Sequence, residues 1–456
     1  MPKADPMPDS THAKPVLPQA WLNLAAALPF RLPVSRNPDG SDASPQSLSR
    51  IYSQECAAIE MLDGAYGRDE FIPIPPPVLD LYRLYRPTPL CRAHGLEEAL
   101  GYDGELYFKR EDWNPTGSHK PNTAIPQVYY AATQGLRELV TDTGAGQWGS
   151  ALAWACNRFG LDCTVFMTAS SYKTKRVRAT LMELAGERKR EGGGASVRVY
   201  CSPSDITEPG RALRRENPDH PGSLGIGMGE AMHYVSSHGN SRLALGCMSY
   251  YAAMHQTIIA QELDHQLAAL GVKPDIMIGC VGGGTNFVGF VATTALRAAR
   301  ANATSGQGAP RMIAAESANV PVLTTGKYEW ENADYWGFTP VVKMYTLGRK
   351  FIPPEIHSGG LRYHGKSPIL SLLRLHNIVE ASAITQEDAF AAGVLFFRSQ
   401  GVLIAPETGH AVAQVIEEVR RAKQESRRPT IVFCLSGTGY LDVTAYEHQV
   451  GLAGRK

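Results

Sequence analysis

Lys120 lies in the run NPTGSHKPNTA, directly after the strand-like run ELYFKRE and at the start of a helically patterned stretch. An amine at a helix start feels the positive end of the helix dipole, which favours its neutral form. A neutral lysine amine is what Schiff-base formation with an aldehyde cofactor requires. Three further runs sit where such a cofactor and its substrate need anion sites. In CVGGGTNF (280–287), Gly282, Gly283 and Gly284 follow the strand-like DIMIGC and open another helical stretch. Successive backbone N–H groups can converge there, on a helix N-terminus, around a phosphate monoester. The run matches neither G-x-x-x-x-G-K-[ST] nor G-x-G-x-x-G, which points away from nucleoside triphosphates and dinucleotides. TDTGAGQWG (141–149) has small residues and exposed N–H groups suited to a carboxylate, and LSGTGY (435–440) ends the last strand-like run. Each part has a plainer reading: most lysines are solvated, and glycine runs also make tight turns. Together they imply an aldehyde-phosphate cofactor and an amino-acid substrate.

The elements around these runs alternate. ELYFKRE, ELVTDT, CTVFMTA, SVRVYC, DIMIGC, RMIAAES and PTIVFCLSG read as strands. PNTAIPQVYYAAT, GSALAWACNRF, KRVRATLMELA, SYYAAMHQTIIAQELDHQL and FVGFVATTALRAA read as helices, with Leu152, Cys156 and Phe159 forming an ordinary core stripe. Apolar strands joined by crossover helices predict parallel sheets covered by helices, so the fold class is α/β with two three-layer domains and a cleft between them. The expected units are an N-terminal arm (1–52), a connecting segment (53–104), an N-terminal α/β domain (105–230) and a C-terminal α/β domain (231–456). The apolar island AWLNLAAALPF should order part of the arm, FIPIPPPVLDLYRLYRPTPL should run extended, and ERKREGGGAS (187–196) reads as a flexible surface loop.

With 456 residues, 43% of them apolar and 20% charged, the chain is globular rather than disordered. A net charge of +1 offers no footprint for nucleic acid or an acidic membrane. Eight scattered cysteines without a C-x-x-C pair suit a reducing compartment, and the start MPKADPMPDS lacks a secretory profile. With no run near the roughly 18 apolar residues of a membrane span, a cytoplasmic protein is expected. His357 and His364 in HSGGLRYHG have no third ligand at metal-binding spacing and read as loop residues, and His255 reads as a core histidine; no metal site is expected.

TGSHKPNTA, TGAGQWGSALA, GCVGGGTNF and SGGLRYHG, in this order, resemble the tryptophan synthase beta family among fold type II pyridoxal-phosphate enzymes. ECAAIE and KMYTLG narrow the likeness to its longer, second subclass, and it covers roughly residues 17 to 450. The resemblance implies that Lys120 forms the Schiff base with pyridoxal 5'-phosphate and moves protons at the substrate Cα. It puts His119 against the phosphate, cradled by Gly282, Gly283, Gly284, Thr285 and Asn286, and adds Asn122 and Glu407 to the cofactor's neighbours. Thr143, Gly144, Ala145, Gly146 and Gln147 should hold the substrate carboxylate, and Ser436 should face the pyridine nitrogen. The implied reaction is a lyase-type β-replacement: L-serine, or O-phosphoserine, passes through an aminoacrylate that indole converts to L-tryptophan. The family also implies a homodimer, leaves an alpha subunit open, and leaves room for a monovalent cation.

The chain departs from the family at reacting groups. Asp142 stands where the family has glutamate acting as acid and base, and PETGHA and SGTGYLD differ from the usual versions. Asp142 should therefore sit back by roughly 1 Å, a displacement that can cost about 100-fold. Two acceptors stay open on this reading: indole, or a changed chemistry in which another nucleophile adds or serine is simply deaminated.

Overall fold

In the computed structural model, residues 16–186, 195–449 and 451 are described. The loop expected at 187–196 falls mainly outside them. Two parallel sheets form the body. The smaller has the strand order Val197–Ser202, Asp162–Thr168, Glu138–Thr143, Ser241–Leu243, all parallel. The larger runs Glu380–Ile384, Arg311–Ser317, Ile276–Cys280, Ile431–Leu435, Leu106–Arg110, Leu90–Arg92, with only the last strand antiparallel. Strands 138–143, 276–280 and 431–435 are buried along their whole length, as strands covered on both faces must be. The α/β class with mostly parallel sheets is thus observed.

Sheet membership crosses the expected domain bounds. Leu106–Arg110 pairs with Ile431–Leu435 rather than with the strands that follow it, and Ser241–Leu243 joins the smaller sheet. An apolar strand carries no local mark of its partner, because parallel pairing is made through long crossovers. Two further readings change. Pro76 and Pro77 open a helix, Pro76–Tyr82, inside the stretch expected to be extended; proline lacks an N–H that the first helical turn does not use. The long helix expected at SYYAAMHQTIIAQELDHQL is two, Tyr250–Gln256 and Ile258–Leu270, meeting at Thr257. The Thr257 hydroxyl donates to the Met254 carbonyl (2.7 Å) and accepts the Leu22 N–H (2.9 Å), so the break is where the arm docks. The arm pairs Ala20–Leu22 with Phe71–Pro73, and Trp21 is fully buried 4.7 Å from the ring of His255.

Three crossings position the site. Strand 138–143 leads into helix Gln147–Phe159, strand 276–280 into helix Thr285–Arg300, and the loop after strand 106–110 into helix Pro121–Thr133. Pro126 within this last helix cannot bond the Asn122 carbonyl, and the Tyr82 hydroxyl takes that acceptor instead. Among the described residues, no helix is long and apolar enough to cross a membrane.

Candidate active site

The carboxyl ends of both sheets open on one cavity. His119, Lys120, Asp142, Thr143, Gly144, Ala145, Gln147, Gly282, Gly283, Gly284, Thr285, Asn286, Glu407 and Ser436 all line it. Lys120 immediately precedes helix 121–133, and its Nζ donates to the Gly246 carbonyl at 2.7 Å. Burial pushes its ammonium below the usual lysine range, against the pull of Cys247 and Asp142. His119 is pushed well below its ordinary value by burial and then by Lys120, so its ring is neutral. Burial raises Asp142 to about 7, with Lys120 pulling the other way. Placement, more than the identity of the carboxylate, therefore sets its acidity, and Asp142 can both give and take a proton near neutrality.

The two glycine loops share a geometry. Gly146 (φ 94°, ψ −10°) and Gly284 (φ 95°, ψ −2°) each stand just before a helix, in the left-handed conformation that glycine permits. A Cβ on Gly283 would lie 2.6 Å from the Cys247 Cβ, and one on Gly144 2.7 Å from the Gly359 carbonyl oxygen. Glu407 accepts the Gly360 N–H on Oε1 (2.8 Å). The Ser436 hydroxyl lies 2.9 Å from Thr408 Oγ1 and 3.2 Å from Cys280 Sγ.

Asn122 and Gly146 do not line the cavity. The Asn122 amide is spent on a buried network: it accepts from Arg86 (2.7 Å) and donates to Glu111 (2.9 Å) and Gln256 (3.0 Å), whose own amide donates to the His119 carbonyl (3.2 Å). Asn122 thus steadies the start of the helix instead of meeting a ligand, because a fully buried amide must satisfy its bonds where it lies. Gly146 turns its Cα toward Arg178. His357 and His364 are bound locally: Lys175 holds the His357 carbonyl at 2.9 Å, and His364 meets the Asn332 carbonyl at 3.2 Å.

Sequence reasoning missed part of the wall. Leu224, Met228 and Leu245 supply apolar surface, and Gly246, Cys247, Gly360 and Leu361 close the cavity. Gly359 and Gly360, in a run read as a plain loop, sit between the two glycine loops: Gly359 against Ala145, Gly360 against Gly282 and Glu407. The adjacent pair of glycines was the available signal.

The lining fits pyridoxal phosphate. His119 Nδ1, Thr285 Oγ1, Gln147 Nε2 and Glu407 Oε2 are buried without a protein partner among the described residues, and all four residues line the cavity. Such groups need a polar ligand or water. The glycine triplet offers a cradle that side chains would fill, and a deprotonation-prone lysine stands beside it.

A family model described as pyridoxal-phosphate dependent enzyme matches residues 81–437. Tryptophan synthase beta chain 2 of Thermotoga maritima is 44% identical over 431 residues, covering 94% of this chain and 97% of that protein. Tryptophan synthase beta chain 1 of Sulfurisphaera tokodaii is 44% identical over 436 residues, covering 95% and 97%. Among solved structures, the processed form of threonine deaminase isoform 2 from Solanum lycopersicum superposes with a TM-score of 0.58 at 16% identity, covering 83% of this chain and 91% of that one. An L-serine ammonia-lyase from Rhizomucor miehei gives 0.58 at 16%, covering 81% and 98%. These two likenesses show the fold, that of fold type II pyridoxal-phosphate enzymes. On the near-full-length relatives and the matching family model, the chain belongs to the tryptophan synthase beta chain family of pyridoxal-phosphate-dependent enzymes.

Proposed function

We propose that this enzyme performs β-replacement on L-serine with indole, giving L-tryptophan, with pyridoxal phosphate held on Lys120. When bound, that cofactor supplies the electron sink that lets the substrate lose its Cα proton and its β-substituent. Lys120 Nζ is the amine for the cofactor aldehyde and, once displaced by substrate, the base at Cα. Its present contact, the Gly246 carbonyl, offers a place for the freed amine to rest. The amides of Gly282–Asn286 and the neutral His119 ring would take the phosphate, and Thr143–Gln147 the serine carboxylate. Ser436 would meet the pyridine nitrogen as a neutral hydroxyl, which does not hold that nitrogen protonated. Asp142, titrating near 7, gives its proton to the leaving hydroxyl and then receives one from indole. Leu224, Met228 and Leu245 form the apolar wall that a flat aromatic acceptor needs and help keep water from competing.

One observation carries the reading: a titratable carboxyl, a lysine, two glycine loops and an apolar wall share a single cavity. The alternative of a changed acceptor rests on Asp142 and on the departures in PETGHA and SGTGYLD, and the near-full-length relatives named tryptophan synthase do not favour it. The test is to incubate the enzyme with L-serine, or with O-phosphoserine, with and without indole, and to identify products by mass. Tryptophan formed from serine and indole supports the assignment. Pyruvate and ammonia released at one rate whether or not indole is present would overturn it. We infer further that the enzyme acts as a cytoplasmic homodimer. Light scattering of the purified protein tests the dimer, and titration with an alpha subunit tests whether one stimulates it.

A further inference from the structure

Lys366 lies outside the cavity and has no part in the chemistry above, yet it is a fully buried lysine. Its Nζ donates to the Val281 carbonyl at 3.2 Å and stands 3.2 Å from Glu316 Oε2. Glu316 is also fully buried, and its carboxylate already accepts from Leu323 N (2.9 Å), Thr324 N (3.0 Å) and Thr324 Oγ1 (2.9 Å). Among the described residues, the ammonium pairs with this one carboxylate and shares it with three other donors. The next residue reaches the same loop: Ser367 N–H donates to the Gly283 carbonyl at 2.7 Å.

A trans peptide points its C=O and the following N–H in opposite directions. Holding the Val281 and Gly283 carbonyls from behind turns the N–H groups of Gly282 and Gly284 away from residues 366 and 367, toward the cavity those glycines line. Among the described residues neither N–H donates to a protein acceptor. We propose that Lys366 is a positioning residue for the phosphate site: it fixes the glycine triplet from behind and adds a buried positive charge toward the phosphate dianion. This rests on the reading that Gly282–Asn286 hold the cofactor phosphate. Burial pushes the Lys366 ammonium down and Glu316 pulls it up; a dianion nearby adds to the upward pull.

Pyridoxal and pyridoxal phosphate differ only in the phosphate, so their affinities separate the effects. Both are titrated into full-length protein stripped of cofactor, for wild type, Lys366→Met and Glu316→Gln, and the dissociation constants are read from absorbance. Wild type should prefer pyridoxal phosphate. Lys366→Met should weaken pyridoxal phosphate by roughly 10- to 100-fold, the loss of one hydrogen bond to a charged group, and change pyridoxal less than twofold. Glu316→Gln removes the carboxylate that holds the buried amine in its charged form, so it should weaken the preference for pyridoxal phosphate in the same direction by several-fold, which tests the proposal even if Lys366→Met does not fold. An unchanged preference in either variant, or equal weakening of both compounds in Lys366→Met, overturns the role of Lys366. A wild type without preference for the phosphorylated form would instead overturn the phosphate-site reading.

Discussion

The two glycine loops have almost the same backbone turn, but what stands behind them differs. Gly282–Gly284 is backed by the larger sheet's own neighbours: the Lys366–Glu316 pair, Ser367 and Leu370. Thr143–Gln147 is backed by Arg178, which reaches across to Asp442 at 2.7 Å; Lys175 meets the other oxygen of that carboxylate at 2.8 Å. One cradle is held from behind by residues on the larger sheet's side. The other is held by side chains that tie the helix Arg176–Leu184, on the smaller sheet's side, to the segment after strand 431–435. A cofactor that stays through many turnovers suits the first arrangement, and a substrate that must enter and leave suits the second. Shape alone makes an anion site, and the supports decide how permanently it is made.

Substitutions can separate the two regions. The largest effect is expected at Asp142, which belongs to the strand feeding the substrate loop. Asp142→Asn removes the proposed acid and base and should lower kcat by about 100-fold or more while the cofactor stays bound. The acid form is needed to protonate the leaving hydroxyl, so the wild-type rate of serine β-elimination should fall as pH rises through about 7. In Asp142→Asn that limb should vanish, as pH–rate profiles will show. Gly283→Val comes next: a branched side chain meets the Cys247 Cβ, 2.6 Å from where its own Cβ would lie, and an Ångström-scale shift of the loop should weaken cofactor binding on the order of 100-fold. Equilibrium dialysis of the cofactor measures it.

Gly146→Ala should act on the other side only. Its φ of 94° costs an L-residue about 1–2 kcal/mol, so KM for serine should rise roughly tenfold, with the cofactor dissociation constant within twofold of wild type. Loss of the cofactor from this variant would break the distinction between the loops. The smallest effect is expected at Asp442. Asp442→Asn removes the buried charge that ties Lys175 and Arg178 together and loosens the support of the Thr143–Gln147 loop, a several-fold rise in KM for serine with kcat nearly kept. Steady-state kinetics at saturating cofactor will resolve the two parameters.

Much of this site was legible in the chain. SHKP after a strand, GGGTN and TGAGQ each mark a place where an apolar strand must turn into a helix around something anionic, and local pattern suffices to find them. What it could not show is long-range. Asn122 carries the right residue type beside the lysine, yet Arg86, Glu111 and Gln256, from distant parts of the chain, claim its amide. Strand 106–110 joins a partner more than 300 residues away, which no local periodicity records. Nothing in the residues around Lys366 marks it as a lysine that the fold closes over completely. Burial moves Asp142 to about 7, a shift that the residue type alone does not record.

The two cradles can work together only if Lys120 is the amine on which both converge. The direct measurement is borohydride reduction of the holoenzyme, followed by digestion and mass mapping of the cofactor-bearing peptide. The expected result is a single label on Lys120, in the peptide containing TGSHKPNTA. A label on Lys366 or Lys175, buried lysines near the two loops, would contradict it.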